Sequence, residues 1–134
     1  MIKKTVTYTD FDDVERTEEF YFHLTKAELV EMETGVTGGL VKLLEKIIAE
    51  KDKKRLVEYV KEFIIKSYGV KSADGRRFIK TQEVKDAFVE TEAYSKIFME
   101  MASDDQAFAK FIYGIMPAEM QKSINFPLNN PPAN

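Results

Sequence analysis

The chain is expected to fold as an α+β domain, mostly α, with an N-terminal β-hairpin packed on a bundle of short helices and an extended C-terminal tail. Three features predict this. Residues 2 to 24 alternate apolar and polar side chains on either side of an acidic turn. Residues 25 to 117 repeat apolar side chains at helical spacing between capping residues and glycines. Residues 124 to 134, INFPLNNPPAN, carry no charge and three of the chain's four prolines, a composition that cannot pack as helix.

The elements follow in order. Ile2, Val6 and Tyr8 share one parity, with Lys4 as the polar exception, so Ile2 to Thr9 reads as a strand. Arg16 to Leu24 reads as its partner, with Phe20, Phe22 and Leu24 on one face, Tyr21 and His23 on the other, and Asp10-Phe11-Asp12-Asp13 as the turn. A lone two-stranded hairpin is marginal in water, so its aromatic face must lie on helices or on another chain's sheet.

Thr25 and Glu28 form a capping box that opens a helix, which Gly35, Gly38 and Gly39 stop. Leu40, Val41, Leu43, Leu44, Ile47 and Ile48 predict a helix over Gly39 to Glu50. Leu56, Val60, Phe63 and Ile64 predict another over Lys53 to Tyr68, with Asp52 as its cap and Gly69 as its end. Gly69 to Thr81 reads as a long polar connection with a tight turn at Asp74-Gly75. Thr81 and Thr91 cap two short helices, and Ser103 with Gln106 supplies a capping box for a last one that Gly114 and Pro117 close. Residues 1–123 therefore form a single α+β domain, with the hairpin in 1–24 and the helical bundle in 25–123. Residues 124–134 form a flexible Pro/Asn-rich tail.

Composition limits function. At 134 residues the chain buries roughly two-thirds of its unfolded surface as one domain. With no cysteine it has neither disulfides nor thiolate metal sites. Met1-Ile2-Lys3-Lys4 leads into alternating residues instead of an apolar run, so no secretory leader is expected, and no stretch approaches the roughly 20 apolar residues of a membrane span. A net charge of −3 with interspersed lysines and acids argues against nucleic acid, and the basic run Lys51-Asp52-Lys53-Lys54-Arg55 reads as a solvated helix junction. Ser72, Asp74 and Glu83 do not supply the alternating oxygen ligands of a calcium loop. His23, the sole histidine, has no base or nucleophile beside it in sequence. The acid pairs Asp12-Asp13 and Asp104-Asp105 sit at a turn and a helix start, where acids serve solvation and the helix dipole, and the pair Glu18-Glu19 falls within the expected second strand. No catalytic, cofactor-binding or metal-binding residue is assigned.

The late segment TEAYSKIFMEMASDDQAFAKFIYGIMP is different, because its large apolar residues occupy more helix faces than one small core requires. Phe98, Met99, Met101, Phe108, Phe111, Ile112, Ile115 and Met116 are the candidate partner-binding residues. Any one of them could simply pack in the core. As a set they could form an interaction groove or an oligomer interface, and methionine suits irregular apolar partners.

Three blocks in order, TYTDFDDVERTEEFYFHLTKAEL, SADGRRFIK and TEAYSKIFMEMASDDQAFAKFIYGIMP, resemble the tail assembly chaperones of long-tailed bacteriophages that infect Gram-positive bacteria. The resemblance extends to about Met120, and the tail from Ile124 has no counterpart in it. It implies a non-catalytic protein of the host bacterial cytoplasm, absent from the mature virion and without a cofactor. Its implied partners are the phage tape-measure protein, which it keeps soluble, and the major tail (tube) protein, whose subunits it helps recruit. It also implies a longer product made by ribosomal frameshifting. The alternatives are a structural tube or connector subunit retained in the virion and a host-directed regulator.

Overall fold

A computed structural model describes residues 1–34, 39, 42, 45, 46, 49 and 52–118. The residues on which the helix expected over Gly39 to Glu50 rests, the glycines Gly35 and Gly38, and the expected tail 124–134 lie outside the described residues. Among the described residues the order is β1 (Ile2–Thr9), β2 (Glu15–Phe22), α1 (Lys26–Thr34), α2 (Lys53–Ser67), β3 (Tyr68–Lys71), β4 (Phe78–Ile79), α3 (Gln82–Val89), α4 (Glu92–Ala102) and α5 (Asp105–Ile115).

The expected N-terminal hairpin forms, in register from Ile2 opposite Phe22 to Thr9 opposite Glu15. Its turn is organised by Asp10. One carboxylate oxygen accepts from the amides of Asp12 at 2.9 Å and Val14 at 3.0 Å, and the other accepts from Arg16 Nε at 2.6 Å. Asp13 takes the left-handed conformation at φ 62°, which aspartate tolerates better than most side chains.

The hairpin is not the whole sheet. The order is β1-β2-β3-β4, because the stretch read as a polar connection is a second, short hairpin. Tyr21 pairs with Gly69 and Phe22 with Tyr68, while Val70 pairs with Ile79 and Lys71 with Phe78. Four and two residues are too few for an alternation signal, and β3 starts directly at the end of α2. Gly69 is therefore a strand residue and not a helix stop. A Cβ there would lie 2.7 Å from the Phe78 ring and 3.0 Å from the Ile79 carbonyl oxygen, so only glycine lets β4 close over β3.

Capping decides the helix starts. Glu28 Oε1 accepts from the Thr25 amide at 2.9 Å and Thr25 Oγ1 from the Glu28 amide at 3.2 Å, completing the box. Asp52, Thr81 and Thr91 each accept from the amide three residues on. The expected box of Ser103 and Gln106 is replaced by Asp104, which caps α5 by accepting from the Gln106 amide at 2.9 Å. Ser103 instead donates to the Met99 carbonyl at the end of α4. Two helices joined by so short a link need one residue to finish the first and another to begin the second.

The sheet lies on the helices through its even-numbered face. Phe20, Phe22 and Leu24 from β2 and its continuation meet Leu56, Val60, Phe63 and Ile64 of α2, Phe88 of α3, and the inner faces of α4 and α5. Phe22 is fully enclosed, its ring centroid 5.3 Å from Phe111, 5.8 Å from Tyr68 and 5.9 Å from Phe88. Beyond the strand, the His23 amide donates to the Ser67 carbonyl at 2.8 Å and the Leu24 amide to the Ile115 carbonyl at 2.8 Å. One chain segment thus closes the ends of both α2 and α5.

Two glycines make close approaches with different consequences. Gly114 of α5 sits against the Ile2 side chain, where a Cβ would lie 2.4 Å from Cδ1. Cγ1 of the same side chain would lie 2.6 Å away, so the β-branched Ile2 has to change rotamer and not merely shift its tip. Gly69→Ala is expected to destabilise by about 1–3 kcal/mol, because backbone would have to move. Gly114→Ala is expected to destabilise by up to about 2 kcal/mol, because the gain in helix propensity of about 1 kcal/mol only partly offsets the repacking of Ile2. Urea unfolding of the two variants side by side measures the difference.

Candidate partner-docking surface

The eight residues singled out in the sequence all lie on or just beyond one helical hairpin, α4 and α5, but they do not form one surface. Met101, Phe108, Phe111, Ile112, Ile115 and Met116 are buried in the core. Six of the eight are thus packed inside the chain. The apolar surplus of α4 and α5 is used because each has two neighbours to cover: Phe111 packs edge-on to Phe22 of the sheet at 5.3 Å, and Phe108 edge-on to Phe63 of α2 at 6.3 Å. A core shared by a four-stranded sheet and several helices consumes more apolar faces than a hairpin on a bundle would.

Two of the eight remain accessible in different degree. Ala93, Ile97 and Met101 follow one another at helical spacing down the inner face of α4. Met99 lies two residues from both of the last two, about 200° around the axis, and is 57% exposed. Phe98 is half-buried, its ring centroid 6.1 Å from Tyr94. Around Met99, the Lys4 ammonium reaches Glu100 at 2.8 Å and Lys96 donates to the Thr7 carbonyl at 2.6 Å, so α4 is pinned along β1.

A second apolar position was missed. Phe11, at the tip of the β1-β2 hairpin, is 76% exposed, and Val14 beside it is also exposed. A signal for it exists in the sequence. An aromatic residue inside an Asp-rich turn cannot face a core that the turn itself points away from.

The charged groups are used structurally. In a cleft of about 300 Å³ lined by Leu24, Glu28, Glu31, Met32, Lys66, Lys80 and Lys85, the Lys80 ammonium bonds both Glu28 oxygens at 2.9 Å and the His23 carbonyl at 2.7 Å. Burial works to raise the Glu28 carboxyl, but the bond from Lys80 and the capping amide of Thr25 outweigh it and hold it below its usual range. His23, expected on the face opposite Phe20 and Phe22, is half-buried; burial first, then the N-terminal ammonium and Lys80, push its imidazole down. Its Nδ1 is enclosed without a hydrogen-bond partner among the described residues.

Lys85 from α3 reaches the carbonyls of Ile65, Lys66 and Tyr68, where α2 ends and β3 begins. A lysine there suits the exposed carbonyls and negative pole of a helix C-terminus. Burial, followed by the charge of Lys80, lowers its ammonium from 10.5 to about 8. Ser72 and Asp74 bond each other and the amides of Arg77 and Arg76 within the β3-β4 turn. Among the described residues no group of three or more His, Asp or Glu side chains could hold a metal ion, and no helix is long and apolar enough to cross a membrane.

The Lys85 shift has a definite sign. Between about pH 8 and 10.5 the unfolded chain still holds a proton that the folded chain has released, so Lys85 makes stability rise with pH across that window. The stability of the parent relative to Lys85→Met is expected to improve steadily from pH 8 to pH 10, as measured by urea unfolding at fixed ionic strength. A constant difference would mean that the ammonium stays protonated throughout.

The described residues form an assembly of caps, a compact aromatic core and a few projecting apolar side chains. Comparisons with curated proteins and with solved structures gave no match. The family model for phage tail assembly chaperones matches residues 1–130, nearly the whole of the 134-residue chain. The resemblance carried by the three sequence blocks is thereby established at the level of the family, and the chain belongs to the phage tail assembly chaperones.

Proposed function

We propose that this chaperone binds the phage tape-measure protein in the host bacterial cytoplasm, keeps it soluble and helps recruit tail-tube subunits, then leaves before the virion is complete. The observation that carries the reading is the family match over residues 1–130. Physical chemistry supports it. A long helical protein waiting for its tube exposes apolar surface that aggregates unless small subunits cover it, and many weak contacts hold by avidity while yielding to polymerising tube subunits. No step of that task needs catalysis or a cofactor.

Within this reading Met99, flanked by half-buried Phe98, is the contact we assign on the helical hairpin. Its support is its exposure on a helix otherwise anchored by Ile97 and Met101. The six buried members of the original set act indirectly, by holding α4 in place. Charge at Phe108 or Phe111 would unfold the protein and reveal nothing of binding.

Met99→Glu alters an exposed side chain and should change stability by no more than about 0.5 kcal/mol. We expect it to lower the soluble yield of co-expressed tape-measure protein several-fold while the circular dichroism melt is unchanged. An unaltered yield would remove Met99 from the contact. Affinity capture of the tagged protein from phage-infected cells is expected to recover a long helical phage protein, with the chaperone missing from purified virions. High copy number in virions would make it a structural tube or connector subunit instead.

A further inference from the structure

The sheet ends on one side in the two-residue strand β4 and on the other in the eight-residue strand β1. Short edge strands resist pairing with other chains, whereas a long regular edge invites it. Which backbone groups β1 presents can be deduced. The His23 amide points to Ser67, on the side of β2 away from β1, so the odd-numbered residues of β2 face away from β1. Their partners in register, Lys3, Thr5, Thr7 and Thr9, must then turn their N–H and C=O groups outward. The bond from Lys96 to the Thr7 carbonyl agrees.

One outward carbonyl, that of Thr7, is taken by Lys96 of α4, and the strand's own sequence does little else to blunt this edge. Thr5 to Thr9, TVTYT, has no charge, no proline and no bulge, and its pairing with β2 is unbroken. Below it a cleft of about 430 Å³, lined in part by Thr5, Thr7, Lys96 and Glu100, separates the strand edge from α4. The unpaired stretch of β2 is different, since Glu15, Arg16, Glu18 and Glu19 crowd it with charge.

We infer that β1 is a homodimer edge, pairing antiparallel with β1 of a second copy about a twofold axis at Val6 and joining two four-stranded sheets into one. Charge selects the second copy and the direction. Lys3 stands at one end of β1 and Asp12 and Asp13 follow the other, while Lys4 and Asp10 are held within the chain by Glu100 and Arg16, so antiparallel pairing sets each Lys3 beside the acidic turn of the other copy. Parallel pairing would oppose lysine to lysine, which is destabilising. The axis at Val6 places Lys3 opposite Thr9 and Thr5 opposite Thr7 of the second copy, which matches the outward groups and uses nearly the full strand. It also extends across the interface the threonine pairing already present between Thr7 and Thr17, whose hydroxyls lie 2.8 Å apart.

This inference does not rest on tape-measure binding. Sedimentation equilibrium of the full chain should show a dimer in the micromolar range. Thr5→Pro removes an N–H that the β1-β2 ladder does not use and should give a folded monomer, judged by circular dichroism. The chain has no cysteine, so Val6→Cys provides a single thiol on the axis, where Cβ atoms about 4.5–5.5 Å apart permit a disulfide. Mild oxidation should cross-link Val6→Cys rapidly and leave Thr17→Cys, two strands from its counterpart, uncross-linked. A monomer throughout that range, or a dimer that survives Thr5→Pro and does not cross-link through Val6→Cys, overturns the inference.

Discussion

Phe22 and the two residues after it set the constraint on which the molecule depends. The Phe22 ring is completely enclosed by aromatic side chains from β3, α3 and α5, so it must occupy one position for the sheet and helices to coexist. His23 and Leu24 then donate backbone hydrogen bonds to the last turns of α2 and α5. Helix C-termini leave carbonyls without intrahelical partners, and an extended segment placed across two such ends satisfies one on each. A shift of β2 by a single residue would turn Phe22 to solvent and break both bonds.

From that constraint follows the division between core and surface. Tyr68 lies parallel to Phe88 with centroids 4.0 Å apart, and Phe88 meets Tyr94 edge-on at 5.5 Å, so the aromatic contacts run from β3 through α3 into α4. Helices of 8 and 11 residues are too short to be stable alone. They persist because each is capped by a threonine and each gives its inner face to this chain of rings. Among the described residues what remains outside is sparse: Met1 at the N-terminus, Phe11 and Val14 at the hairpin tip, Met99 on α4, and isolated valines on α1, α2 and β3. Such a surface suits repeated, modest contacts.

The charged residues reinforce the same frame. Lys80 ties Glu28 of α1 to the His23 carbonyl, and Lys85 gathers the carbonyls at the α2-to-β3 junction. Lys4 and Lys96 join β1 to α4 on the other side. Each of these lysines fastens two elements that are distant in sequence. Balanced composition near −3 thus reflects internal ties more than a field directed at a charged partner.

The sequence alone determined the α+β class, both strands of the long hairpin with their inward faces, and most helix starts, because those depend on alternation and on side chains that bond their own neighbouring amides. Thr25, Asp52, Thr81 and Thr91 could be read in this way, as could the membership of the late apolar residues in two helices. The short hairpin at Gly69 could not, since its partner strand lies more than 45 residues earlier and its glycine matters only when Phe78 closes over it. Likewise, helical spacing names the apolar face of α5 but does not say whether that face meets a partner or Phe22 and Phe63. Tertiary structure decided that six of the eight candidate residues are core and that Met99 is not, because burial depends on what other elements bring to the same place.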